Sequence, residues 1–170
     1  EPLVLSVPNT NGRYYVIALF DMWSNVFASI GSRTTGTDSV SFLIVGPKFK
    51  GTLPSGFKQV YKSPSRYVWV NAQMQSNGEQ DYDVVNSLQK QYKLTPLSQW
   101  DQPYTPSTEV SFDQNIDTKT PPLEQVKRLD ANTFFKRLAR LMNDNPPSKD
   151  DTQMLEKLES LGIVPGEEFD

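Results

Sequence analysis

Arg33 stands between Gly31 and Gly36 in the stretch NVFASIGSRTTGTD, residues 25–38, with hydroxyls at Ser32, Thr34, Thr35 and Thr37. A guanidinium fork among hydroxyls and glycines suits a carboxylate, a phosphate or a sugar oxygen. It equally suits a structural role, holding a loop down through backbone carbonyls or through Asp21. The Gly31–Gly36 spacing is that of a phosphate-binding loop, but that motif continues with Lys and Ser/Thr and opens a helix. Here Thr37 and Asp38 follow, and then the strand-like VSFLIVG. The phosphate-loop reading is therefore rejected, and GSRTTGT is expected to be a turn between two strands. Asp21 and Asn25 flank Met22, Trp23 and Ser24 at the end of another strand-like run. They are either a carboxylate and an amide at a pocket mouth or turn residues that satisfy nearby backbone groups, the commoner use of these side chains. The candidate ligand-binding set is Arg33, Thr34, Asp21 and Asn25. If Arg33 is functional, its guanidinium is expected to reach a cleft near Asp21 and Asn25.

Other chemistry is narrowed by what the chain lacks. It has no His and no Cys. That removes Ser-His-Asp and Cys-His catalysis and the usual zinc and non-haem iron sites, and no disulfide can form within the chain. NGEQDYD, residues 77–83, places oxygens at positions 1, 3, 5 and 7 of a calcium loop. Tyr82 replaces the required Gly, however, and Leu88 the required Glu. A helix-capping polar loop is the simpler reading. No metal or cofactor is expected, no catalytic residue can be assigned, and whether the chain is an enzyme stays open. Arg13, Tyr14, Arg66 and Trp69 are weaker candidates. Trp69 could stack on a sugar, although an aromatic on a strand more often faces a core. FFKRLARL is basic and amphipathic, but it is short and surrounded by acids, so it reads as a core-facing helix rather than a membrane or calmodulin-type ligand.

The elements that must position these residues follow from composition and periodicity. The 170 residues suffice for one ordinary domain or two small ones. Nine Phe, seven Tyr and three Trp can supply a core, and thirteen Pro with nine Gly imply short elements joined by turns. A net charge of −3 argues against a general nucleic-acid binder, and no apolar segment approaches the length of a membrane helix. Residues 1–100 carry nine basic and six acidic side chains, and residues 101–170 eight and fourteen. This asymmetry points to two regions with different surfaces. An opening on Glu1-Pro2 rather than Met is expected of a chain processed or excised from something longer, and no signal-peptide pattern is read there.

LVLSV (3–7), RYYVIALFD (13–21), VFASI (26–30), VSFLIVG (40–46) and RYVWVNAQM (66–74) read as strands. Asn11-Gly12 is a hairpin signal between the first two. Both faces of 13–21 are apolar, so that strand is expected to be central and covered on both sides. DYDVVNSLQKQY (81–92) has helical spacing, with Asp81 as its N-cap. Several short strands with one helix favour a β-sandwich over residues 1–100. Residues 101–123, with four prolines, read as an extended linker. In 124–170 the period changes. One helix is expected to be capped by Asp130, with Phe134, Leu138, Leu141 and Met142 as its apolar stripe. A second starts at Ser148 with Asp151 completing a weak capping box, buries Met154, Leu155, Leu158 and Leu161, and ends at Gly162. The fold class is mainly β with C-terminal α.

Taken together, LSVPNTNGRYYVIALFD, NVFASIGSRTTGT, FLIVGP, SPSRYVWV, LQKQYKLTPLS and NPPSKDDTQMLEKLESLGIVPGEEFD resemble the DUF1254 family of bacterial proteins. The resemblance spans essentially the whole chain. It implies an immunoglobulin-like β-sandwich followed by a small helical region, a partner β-rich domain of the DUF1214 type in a longer parent chain, and export to the bacterial periplasm. It carries over no catalytic residues. Two functions are therefore expected to compete. One is a non-catalytic binding or structural module. The other is half of an enzyme or ligand site, completed by the absent domain and recognising an anionic or polyhydroxyl small molecule.

Overall fold

The computed structural model describes residues 1–107 and 115–169. The chain forms two compact units, 1–104 and 105–170. Seven strands build the first: β1 (Leu3–Val7), β2 (Tyr15–Phe20), β3 (Val26–Gly31), β4 (Val40–Val45), β5 (Gln59–Lys62), β6 (Trp69–Met74) and β7 (Lys93–Pro96). They lie in two sheets, ordered β5-β4-β1-β7 and β3-β2-β6. Every pairing is antiparallel except β4 with β5. Leu5 and Val7 of β1, Phe42 and Ile44 of β4, Tyr15, Ile17 and Leu19 of β2, and Ala28 and Ile30 of β3 share one buried cluster. The two sheets therefore face each other across a common apolar layer.

Two expectations about the strands are corrected. Asn11 (φ 51°) and Gly12 (φ 80°) do form a tight turn, closed by the Arg13 amide on the Thr10 carbonyl at 3.0 Å. This turn is not a hairpin, because β1 and β2 belong to different sheets. Seven residues separate the strands, and the Thr10 amide bonds to the Thr37 carbonyl instead. The strand covered on both faces is β4, not β2. Leu43 and Val45 join Val4 in a second cluster beneath Phe49, Phe57, Leu97 and Trp100. In β2 the outward Val16, Ala18 and Phe20 are half-buried. The short, polar β5 and β7 had no strand signal of their own. They form because β4 and β1 offer them unpaired edges.

Between β6 and β7 lies α1 (Tyr82–Gln89), entered through a 3-10 turn at Glu79–Asp81. Asp81 makes no capping bond to the helix, which corrects its expected role.

The second unit contains α2 (Pro122–Lys127), α3 (Ala131–Asp144) and α4 (Thr152–Ser160). Part of the expected linker, residues 108–114, lies outside the described residues, as does Asp170. Asp130 caps α3 by accepting from the Thr133 amide at 2.9 Å. Ser148 and Asp151 form a reciprocal capping box before α4. At the end of α4, Gly162 (φ 78°) donates to the Glu159 carbonyl and Ile163 to that of Leu158, both at 2.9 Å. These two bonds are a Schellman closure. The apolar stripe of α3 is rotated from the expected one. Phe135, Leu138, Ala139 and Met142 pack with Leu155, Leu158, Ile163 and Phe169, while Phe134, Leu141, Met154 and Leu161 are exposed. Ala139 explains the rotation. Its small side chain lets the C-terminal segment approach until the Gly166 amide bonds to the Ala139 carbonyl at 2.9 Å.

Candidate functional site

GSRTTGT is a turn between β3 and β4, as its flanks require. The Gly31 carbonyl accepts the amides of Thr34, Thr35 and Gly36 at 3.0, 2.8 and 3.2 Å. The buried Thr35 hydroxyl accepts the Gly31 amide at 3.1 Å. Tyr15 donates its phenol to the Gly36 carbonyl at 3.1 Å, and the Lys58 ammonium donates to the Thr35 carbonyl. A phosphate cradle needs outward-pointing amides, and these three are turned onto one internal carbonyl. Arg33 and Thr34 remain exposed. The Arg33 guanidinium lies over the Tyr14 ring, 5.4 Å from its centroid.

Asp21 and Asn25 form the β2–β3 turn. One oxygen of the buried Asp21 carboxylate accepts the amides of Trp23 and Asn25, each at 2.9 Å, and the other accepts the Asn25 side-chain amide at 3.3 Å. Ser24 sits between them at φ 64°. This is the turn role rather than a pocket mouth. The structure also does not bring Arg33 to this pair. In the β2–β3 register Phe20 opposes Val26, whereas Val16 opposes Gly31. Asp21 and Arg33 therefore flank opposite ends of the hairpin, roughly 15–20 Å apart at the rise of a strand. An antiparallel hairpin gives maximal separation to residues just before its turn and just after its second strand. The expectation of a shared cleft is corrected for that reason.

The outer face of the three-stranded sheet carries a row of aromatic and amide side chains. Val70 and Met74 of β6 pack into the core, so Trp69, Asn71 and Gln73 point outward, about 7 Å apart along the strand. Register places Trp69 beside Phe20 and Val26, Asn71 beside Ala18 and Ser29, and Gln73 beside Val16 and Gly31. Trp69 is 62% exposed and rests against Phe20 with ring centroids 5.1 Å apart. Small residues in the middle row keep the surface shallow. Trp69 is exposed rather than facing a core, the commoner place for an aromatic on a strand. The alternation that faces Val70 inward was the signal that Trp69 faces out.

A second feature joins α1 to the sandwich. Arg13 forms a two-pronged pair with Asp81, one arm at 2.7 Å, and donates to the Gln75 carbonyl at 2.8 Å. Asp81 also accepts the Asn77 amide at 3.0 Å. The Arg13 bond, then that of Asn77, hold the Asp81 carboxyl below its ordinary pKa. Beside this pair is an open groove of about 650 Å³, lined by Asn11, Gln75, Asn77, Asp83, Ser87 and Leu88. The near-calcium loop thus spends its central carboxylate on Arg13. Among the described residues no group of three or more acidic side chains is placed to hold a metal ion.

The model of the family described as "Protein of unknown function (DUF1254)" matches residues 1–96. The crystal structure of the VPA0106 protein from Vibrio parahaemolyticus is similar, with a TM-score of 0.73 and 23% sequence identity. That similarity covers 100% of this chain and 39% of the other, so this chain spans well under half of the solved one. At this identity the likeness is one of fold alone. No curated protein matches this chain.

Proposed function

This chain belongs to the DUF1254 family, and from that premise we propose that it acts as a non-catalytic binding module whose β-sandwich recognises a polyhydroxyl ligand on the outer face of β3-β2-β6. The observation that carries the reading is Trp69, 62% exposed on a strand whose Val70 and Met74 pack, half-buried, against the core from the other face. Contiguous exposed apolar patches mark interaction sites, and Trp69 shares its row with Phe20 and the exposed Val26. The C–H-rich face of a sugar ring complements the negative face of an indole, and the Asn71 and Gln73 amides supply donors and acceptors for hydroxyls. Phe20, its cross-strand neighbour, packs beside the indole with ring centroids 5.1 Å apart, and a held side chain lowers the ordering cost of binding. The carboxylate at Asp21 is already satisfied by its own turn, which supports binding without catalysis.

A second reading is favoured by the flatness of this surface, since small-molecule sites are usually concave. A further domain of the DUF1214 type would close over the platform, and export to the periplasm would give it access to glycans there. Arg33, stacked on Tyr14 beside Thr34, would then be this half's contact for an anionic group.

The test is titration of the chain with a set of soluble neutral oligosaccharides, followed by tryptophan fluorescence and amide NMR. Saturable binding with shifts along β6 is expected. Trp69→Ala should weaken it at least about tenfold, or about 1.4 kcal/mol, and leave melting nearly unchanged because the side chain is exposed. Binding indifferent to Trp69→Ala, or absent for every sugar, sinks the proposal.

A further inference from the structure

The second unit holds a groove that plays no part in the reading above. Lys136, Arg137 and Arg140 of α3 line one wall of an open cavity of about 680 Å³, and Glu167, Glu168 and Phe169 belong to the other. The three cations occupy i, i+1 and i+4, beside the apolar stripe that Phe135, Leu138, Ala139 and Met142 bury. Like charges three and four residues apart on a helix repel. Among the described residues neither Glu167 nor Glu168, across the groove, closes an ion pair with any of the three. The surrounding region, residues 101–170, has fourteen acidic side chains against eight basic ones. A positive triad is therefore concentrated at a concavity within an acidic part of the chain, an arrangement that helix stability alone disfavours.

We infer that this groove binds a compact oxyanion, the carboxylate or phosphate group of a small molecule. Arg137 and Arg140 offer planar forks matched to two oxygens, and Lys136 adds a mobile point charge. Phe169 gives the ligand's apolar part a surface. Glu167 and Glu168 set the selectivity. They repel a second negative charge and so disfavour polyanions such as nucleic acid.

The test uses the whole chain in an amide NMR titration with sodium phosphate and, separately, sodium acetate, each against sodium chloride at matched ionic strength. Saturable shifts confined to α3 and residues 166–169 are expected with phosphate, acetate or both, and which salt saturates tells a phosphate from a carboxylate seat. Arg137→Gln with Arg140→Gln should weaken binding at least tenfold while circular dichroism keeps the helix content. Arg137→Lys with Arg140→Lys, which retains charge and removes the forks, should weaken it several-fold and guards against a folding defect in the first pair. Glu167→Gln with Glu168→Gln should tighten it several-fold. Linear shifts, equal shifts with chloride, or affinity unchanged by Arg137→Gln with Arg140→Gln would overturn the inference.

Discussion

A methyl group on residue 31 would stand 2.4 Å from the Tyr15 carbonyl oxygen and 3.0 Å from the Val16 Cα. Both are backbone atoms of the paired strand, so neither can move aside cheaply. Gly31 is therefore required by close approach, and the Arg33 turn depends on it through the three amides that converge on its carbonyl. Gly31→Ala is expected to destabilise the chain by roughly 1–3 kcal/mol, the usual cost of forcing extra atoms into a packed site. Urea unfolding monitored by tryptophan fluorescence measures it, and an unchanged midpoint would contradict the account. At this scale the sequence was legible in part. The missing lysine excluded a phosphate loop, and Asp21 with Asn25 behaves as those side chains do in turns. Which oxygen the turn amides reach could not be read, because it depends on the strand facing the turn.

At the scale of elements, the Arg13–Asp81 pair is the tie between α1 and the sandwich. Asp81→Asn removes the acceptor for the guanidinium arms and is expected to lower the melting temperature at neutral pH. The acid dependence follows from the depressed Asp81 pKa. A carboxylate with a lowered native pKa contributes stability above its unfolded value of about 4 and loses it as pH falls through the native value. The parent chain should therefore lose stability on acidification below about pH 4, and Asp81→Asn should lose less over the same range. Parallel pH–melting curves for the two would refute the linkage. Local signals located the helix ends well. The Asp130 cap, the Ser148–Asp151 box and the Gly162 closure each involve neighbours within a few residues. The stripe of α3 was misphased because Ala139 carries little apolar signal, yet it is the residue against which the tail packs.

For the sandwich unit as a whole, stability rests on the layer between the two sheets, and Tyr92 reports on it. Tyr92 packs against that core, edge-on to Tyr15 with ring centroids 6.3 Å apart. Burial first, and then the neighbouring Tyr15, push its pKa up to about 12. A phenol with a raised native pKa holds its full contribution below the unfolded value of about 10 and loses it as pH rises through the native one. Unfolding should thus become easier from about pH 10 upward, with Tyr92 absorbance as tyrosinate appearing together with loss of the β-sheet signal. Tyr92→Phe should flatten that alkaline slope. An alkaline titration and unfolding slope identical with and without the Tyr92 phenol would disprove the burial.

Residue identity and local spacing carry the class of fold, the switch from strand to helix period, the caps of α3 and α4 and the exclusion of histidine and cysteine chemistry. These depend on residue identity and on contacts within a turn or two, which a linear pattern carries. Tertiary pairing alone settles that the Asn11-Gly12 turn crosses between sheets, that β4 rather than β2 is covered on both faces, and that Arg33 and Asp21 lie at opposite ends of a hairpin. Each of these is set by which strands pair and which faces meet. Strand pairing is a long-range choice among edges that look alike locally, so it is resolved only when the whole core closes.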